Sequence, residues 1–279
     1  MPPTVFDART RVVPPTLRRV ETMLSVTLAL PWRLVTYLIA GVAAGVANGI
    51  AGGGTFITFP TMLALGVGAL QANVSSTVGV VPSYFGGIRG FRTEIRRHSS
   101  IVATLAPICL AGTLVGTALL LLGSSRAFES IVPWLIGGAT VVYALSPRIT
   151  ARLAHLDHHH PSRRRVLYIG VFLASIYGGY FGAGLGIMLL AIMAVALPLE
   201  LAELQGLRNL LSLIINVVAA VVFLVRGHLA QEAIYMILVG TLVGGWLGTV
   251  VIRRLRPATV RWLIVAIGAV TTIHLALAA

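Results

Sequence analysis

The sequence predicts an all-α, polytopic integral membrane protein with about eight apolar segments in two pseudo-symmetric repeats of four, the first segment of each repeat broken or re-entrant at glycines. Three observations carry that prediction. The 279-residue chain is 57% hydrophobic and 10% charged, with a mean hydropathy of +0.93, whereas a soluble domain carries about 25% charged residues. Apolar runs recur along the whole chain at the length a crossing needs, about 20 residues. Short motifs also recur in register: Gly-Thr-Leu-Val-Gly stands at 112–116 and again at 240–244, and Trp134-Leu135-Ile136 matches Trp262-Leu263-Ile264 at the same shift.

Residues 1–33 form a basic N-terminal segment carrying Arg9, Arg11, Arg18, Arg19 and Arg33. Its apolar piece, Met23–Leu30, is short and lacks a small-residue cleavage site, which argues against a cleaved signal peptide; Met23 is a second candidate start. The first repeat, 34–147, holds the segments Leu34–Phe59, Val74–Ile88, Ile101–Leu122 and Ile131–Leu145. A basic, histidine-containing linker spans 148–165. The second repeat, 166–279, holds Val166–Leu199, Leu207–Val225, Ala233–Ile252 and Trp262–Ala278. Val166–Leu199 is long for one crossing at about 1.5 Å per residue and roomy for two half-helices. Six, seven or eight full crossings each leave more arginines on one face than the other. The placement of the glycines favours interrupted segments in both halves, the pattern that marks a site between repeats.

The charge balance, 21 basic against 8 acidic residues, gives a formal +13. All the basic residues are arginines, set in short loops between apolar spans. That placement suits topology control and anionic lipid headgroups, so the bilayer is the expected partner and nucleic acid is not. The lone Cys109 allows no intrachain disulfide. Without lysine there is no phosphate-binding Gly-Lys-Ser/Thr loop, and Gly182-Ala183-Gly184-Leu185-Gly186 lacks the strand–turn–helix context of a dinucleotide site. No paired carboxylates, nucleophile–base pair or metal-ligand cluster falls within a span, so the chain reads as no enzyme and as needing no cofactor or metal. His158-His159-His160, with His155 and Asp157, could bind a metal by residue type, but in an arginine-rich linker they read as solvated sequence. Acidic residues avoid the span centres and His274 is the only histidine within one, so the coupling ion stays open.

The candidate site is built around two glycine clusters. Gly52, Gly53, Gly54 and Thr55 follow a small-residue ladder, Gly41-xxx-Gly45-xxx-Gly49, of which Gly41 and Gly45 suit helix packing. Gly182, Gly184 and Gly186 lie near the start of the second half. A broken helix offers free N–H groups and a partial positive charge of about +0.5 at its N-terminus, and glycine lets an anion approach the backbone closely. Asn48 precedes the first cluster. Asn73, Ser75, Ser76 and Thr77 open the next span, where N-cap and ligand roles overlap. Arg208 leads into an apolar helix, and Asn209, Ser212 and Asn216 recur at spacings of three and four, on one face. A polar face in a membrane helix points into protein or water, and arginine grips an oxyanion bidentately. The alternatives are that Arg208 snorkels to the interface or pairs with Glu203, and that Asn216 bonds between helices.

Gly-Ile-Ala-Gly-Gly-Gly (49–54) with Pro60, Ala72 and Ser75-Ser76-Thr77 resembles the amino-terminal signature of the TauE/SafE-type sulfite exporter family. The basic loop before a second glycine-rich segment, then Asn216 and the small-residue stretch Gly240–Gly248, resembles its second repeat. The resemblance covers about residues 34–278. It implies a multi-pass carrier in the inner or plasma membrane for sulfite, organosulfonates or related sulfur oxyanions. The departure is in the second half, where Leu185 interrupts the glycines and Ile192 stands near the place matching Pro60. A carrier or facilitator of another small anion, or a non-transporting membrane scaffold or accessory, are the other readings; the sequence is compatible with a homodimer.

Overall fold

A computed structural model describes residues 15–153, 163–251 and 257–278. All regular elements among these residues are helices: α1 (Pro15–Ala51), α2 (Thr55–Ala64), α3 (Ala69–Val80), α4 (Ser83–Gly90), α5 (Arg92–Arg97), α6 (Ser99–Leu122), α7 (Ser125–Leu153), α8 (Arg163–Tyr180), α9 (Leu185–Ala196), α10 (Leu201–Arg226), α11 (Gln231–Val251) and α12 (Pro257–Ala278). Four stretches among the described residues, Ser99–Leu122, Ser125–Arg148, Leu201–Arg226 and Ala258–Leu277, are long and apolar enough to cross a membrane. Helices α2 and α9 are apolar but short.

Both glycine-rich segments break. Helix α1 stops where Gly52 takes φ +76, and α8 gives way to α9 through Gly182 (φ +79) and Gly184 (φ +75). Only glycine enters that left-handed region freely. In each case the chain then turns back. At the open end of the first hairpin, Arg33 Nη2 donates to the Leu65 carbonyl at 3.0 Å; nearer its tip, a Cβ on Gly54 would lie 2.9 Å from the Ala44 oxygen. In the second, a Cβ on Gly170 would lie 2.8 Å from the Ile192 side chain and one on Gly178 2.9 Å from Leu185. The arms of each hairpin are therefore antiparallel. Their open ends lie at opposite ends of the helix bundle. Arg33 shares a cavity with Gln71 and Glu232, while α8 and α9 open where Leu167 and Leu197 join Leu204 in one apolar cluster, at the end of α10 that Glu203 ties to His98.

The second expected segment, Val74–Ile88, differs. It starts at Ala69 and divides into α3 and α4 at Val81-Pro82, where proline has no N–H to continue the ladder. The linker also shortens: α7 runs to Leu153 and α8 begins at Arg163.

The duplicated pentapeptide sits at equivalent contacts. In α6, a Cβ on Gly112 would lie 2.6 Å from the Phe172 oxygen of α8, and across the same seam one on Gly179 would lie 2.5 Å from the Thr113 oxygen. In α11, a Cβ on Gly240 would lie 2.5 Å from the Leu38 oxygen of α1, and one on Gly45 would lie 2.6 Å from both the Gly245 nitrogen and the Thr241 oxygen. Close backbone approach of this kind is how helices associate without a hydrophobic driving force between them. Gly41 and Gly45 are thus packing residues. Below the breaks, Phe59 meets Phe181 edge-on with ring centroids 5.5 Å apart, inside the larger buried cluster.

Candidate functional site

The two breaks touch. A Cβ on Gly52 would lie 3.1 Å from the Gly186 Cα, and one on Gly186 would lie 3.2 Å from the Gly52 Cα. No side chain fits between them. The guanidinium of Arg208, reaching across from α10, lies against this contact: its Nη1 would be 3.4 Å from a Cβ on Gly52 and 3.6 Å from one on Gly186.

Arg208 is 1% exposed, so it does not snorkel to the interface. Nor does it pair with Glu203. That carboxylate is held by His98 Nε2 at 2.8 Å and Arg97 Nη1 at 3.5 Å, and it accepts the Glu200 amide as half of a capping box at the start of α10. Both sequence expectations are corrected for one reason: Arg208 lies nearly two helical turns into the bundle, and Glu203 stays at the helix end. The hydrogen bond that Arg208 makes within the described residues goes from Nη2 to Asn209 Oδ1 at 3.1 Å. A buried guanidinium without a carboxylate carries a desolvation cost of several kcal/mol. Its close neighbours among the described residues are instead the uncharged Asn209, Gly52 and Gly186.

Helices α2 and α9 both begin at this contact. Among the described residues, the amides of Gly53, Thr55, Ala183, Gly184 and Gly186 donate no backbone hydrogen bond, and each helix start adds a partial positive charge of about +0.5, opposed by the ends of α1 and α8 at the same breaks. The Tyr143 hydroxyl, Asn209 Nδ2 and Ser212 Oγ are buried without a hydrogen-bond partner. Tyr143 Oη is aimed at the first break, 3.0 Å from where a Cβ on Gly53 would stand. The contact therefore holds one buried positive charge and unpartnered polar groups able to donate, and among the described residues no carboxylate pairs with that charge. Chemically, it suits an anion.

The other expected residues fall into two groups. Asn216 donates from Nδ2 to the Tyr84 hydroxyl at 3.2 Å and to the Ser212 carbonyl at 2.9 Å, joining α10 to α4. Asn48 is fully engaged as a bracket: Oδ1 accepts the Gly54 amide at 2.7 Å, and Nδ2 donates to Ser83 Oγ at 2.8 Å. Thr55 is buried at the start of α2.

Asn73, Ser75, Ser76 and Thr77 do not open a helix. Because α3 starts at Ala69, they lie in its interior and the capping reading is corrected. Asn73 Nδ2 donates to the Tyr180 carbonyl at 2.9 Å, where α8 ends. Ser75 Oγ accepts the Ala230 amide at 2.9 Å, Ser76 bonds Thr58, and Thr77 donates to the Asn73 carbonyl. Gly182 and Gly184 shape the second turn, with Gly184 against the Phe56 ring. The structure thus brings Gly52, Gly186 and Arg208 together with Gly53 alongside, ties Asn209 to them through Arg208 with its Nδ2 against Gly87, leaves Ser212 further along α10, and uses 73–77 to brace the neighbouring helices. Sequence reasoning missed Tyr84, Ser83 and Tyr143. The signal available for the tyrosines was a polar handle inside an apolar run, which needs a partner when buried. His155, Asp157 and His158–His160 lie outside the described residues.

A model of the family described as sulfite exporter TauE/SafE matches residues 37–275. The chain belongs to the TauE/SafE family. A curated relative from Haemophilus influenzae (strain ATCC 51907 / DSM 11121 / KW20 / Rd), named probable membrane transporter protein, is 21% identical over 223 residues, covering 77% of this chain and 83% of the relative. No solved structure matches the chain. Membership in the TauE/SafE family, together with apolar helices of crossing length, makes the chain a membrane transporter.

Proposed function

We propose that the protein is a secondary carrier of a small sulfur-containing oxyanion, such as sulfite or an organosulfonate, across the cell's inner or plasma membrane. The observation that carries this reading is Arg208, buried without a carboxylate partner where two helix breaks meet. The guanidinium supplies one full positive charge, and the starts of α2 and α9 set backbone amides beside it. Among the described residues no carboxylate pairs with Arg208, and the natural counter-charge is the cargo.

The architecture proposed for transport is a multi-pass one of two inverted repeats, each a glycine-broken hairpin followed by three crossings. Support comes from the hairpins opening at opposite ends of the bundle and from the reciprocal packing, α11 on α1 and α6 on α8. Rocking one half against the other would open the Arg208 site to each side in turn.

The test is flux in proteoliposomes. Sulfite or an organosulfonate should enter faster than into empty vesicles, and Arg208→Gln should abolish that flux while the protein stays folded and inserted. No flux above empty vesicles across a panel of sulfur oxyanions would falsify the substrate assignment. Unchanged flux in Arg208→Gln would remove Arg208 from the site.

A further inference from the structure

We propose that the bundle end at which the second hairpin opens is a binding face for anionic lipid headgroups and lies on the cytoplasmic side of the membrane. The proposal rests on the two ends of the bundle and is independent of the cargo. The first observation is how the fold sorts charge. Arg89, Arg92, Arg96 and Arg97 stand just before His98, which marks that end of α10. Arg163, Arg164 and Arg165 open α8 at the same end, where Leu167 shares an apolar cluster with Ile101 and Leu204. Helix α6 leads away from that end and α7 returns to it, bringing Arg148 back. Of the acids there, Glu203 is spent on His98 and Arg97 and closes the capping box with Glu200, while Glu94 lies on the α10 side of α5. The other end is mixed in sign. Gln71 lines two cavities there, one with Arg33 and Glu232, the other with Arg226 and Glu129.

The second observation is α5 itself, which has no buried residue. Its packed side is set by Phe91 and Ile95, whose side chains would stand 3.1 and 3.3 Å from a Cβ on Gly206. Arg92 and Arg96, four residues apart, share another face. Both are exposed, and neither makes a hydrogen bond or ion pair among the described residues. Arg97 stays 67% exposed while it touches Glu203. A short helix docked by two apolar side chains beside the crossing-length α6 and α10, with its guanidinium groups outward, suits the headgroup layer. Arginine matches phosphate oxygens in its forked geometry. Anionic lipid is concentrated in the cytoplasmic leaflet, and an arginine excess in short loops marks the cytoplasmic side. Both place this end inside and the open end of the first hairpin outside.

Two measurements on the full-length protein test this. In a neutral detergent, wild type should bind short-chain phosphatidylglycerol at least about tenfold more tightly than phosphatidylcholine, read by calorimetry. Arg92→Gln/Arg96→Gln should weaken that binding about tenfold or more, and Arg126→Gln/Arg226→Gln, at the other end, should keep it. Inorganic phosphate should displace the lipid no better than chloride at equal ionic strength. Equal binding of the two lipids, an unaffected Arg92→Gln/Arg96→Gln variant, or equal loss in the other variant overturns the lipid face. Selective displacement by phosphate overturns it too, by assigning the arginines to a soluble anion. For sidedness, the one native cysteine, Cys109, is fully buried, so exposed positions can be labelled singly. Thr93→Cys should resist a membrane-impermeant maleimide in intact cells and react in inverted vesicles, and Gln231→Cys should do the reverse. Any other pattern overturns the placement. Neither measurement involves the cargo, so failure here leaves the carrier reading standing, and a failed flux assay leaves this face standing.

Discussion

Asn48 offers the sharpest test of which side chains hold the break and which hold cargo. By sequence it was a candidate ligand, but both ends of its amide are spent within the protein, on Gly54 at 2.7 Å and on Ser83 at 2.8 Å. Asn48→Ala would strand the buried Gly54 amide, at about 1–3 kcal/mol, and delete the donor to Ser83, at about 0.5–1.5 kcal/mol net. Ser83 keeps its own bond to the Val80 carbonyl, so it is not left orphaned. The expected loss is therefore about 1.5–4.5 kcal/mol. Equilibrium unfolding of the variant in mixed micelles, against wild type, measures it. At temperatures where the variant is folded, its affinity for a transported anion should stay within about threefold of wild type, since the change touches no free donor. Wild-type stability combined with a tenfold loss of affinity would refute this reasoning, because it would mean that the amide is free to bind cargo and does not pin the break.

Two further outcomes follow from the same geometry. In Gly53→Leu, the first added carbon would stand 2.9 Å from Ile264 Cδ1 and 3.0 Å from the Tyr143 hydroxyl, so flux should vanish in proteoliposomes from protein that still elutes as a single folded species; normal flux would separate the glycine from the site. Ser75→Ala should cost about 1–2 kcal/mol in the same unfolding assay, through the lost acceptor for the Ala230 amide, and should leave anion affinity as it was. A selective loss of affinity would return Ser75 to the site.

The helical class, the two glycine breaks and the packing role of Gly41 and Gly45 were legible because each leaves a one-dimensional trace: apolar runs, a glycine run, a small-xxx-small ladder. What stayed hidden was long-range. Whether a broken segment crosses or returns depends on contacts such as Arg33 with Leu65, which no local pattern encodes. The stretch Asn73–Thr77 looked like a helix start because hydroxyls and amides favour first turns. Yet Gly68 begins the helix without any side-chain cap, and the polar residues are used instead to tie α3 to α2, to the end of α8 and to the approach to α11. Arg208 leads into an apolar run, which by sequence leaves its partner open. Pairing with Glu203 was one alternative, and the structure spends that carboxylate on the helix start and on His98. Tyr143 offered only the general signal of a phenol inside an apolar run, and its interest lies in a partner that it lacks among the described residues.

That missing partner and the buried arginine bear on how transport would be driven. With an oxyanion bound, the Arg208 charge and the free donors are satisfied in a closed, water-poor site, where electrostatic attraction is strong. When the anion leaves, the guanidinium loses its counter-charge, and hydration becomes its cheapest source of stabilisation. On the proposed reading, water reaches Arg208 when one hairpin moves relative to the other and parts the Gly52–Gly186 contact beside it. Release and opening are then one step, coupled through a single charge. The glycines matter to this coupling in a specific way. Their lack of side chains lets the two breaks close against each other, and the seams that carry the hairpins, α1 on α11 and α8 on α6, are lined by the same small residues. On the proposed reading, those close-packed seams carry each hairpin with its partner helix as one half moves against the other.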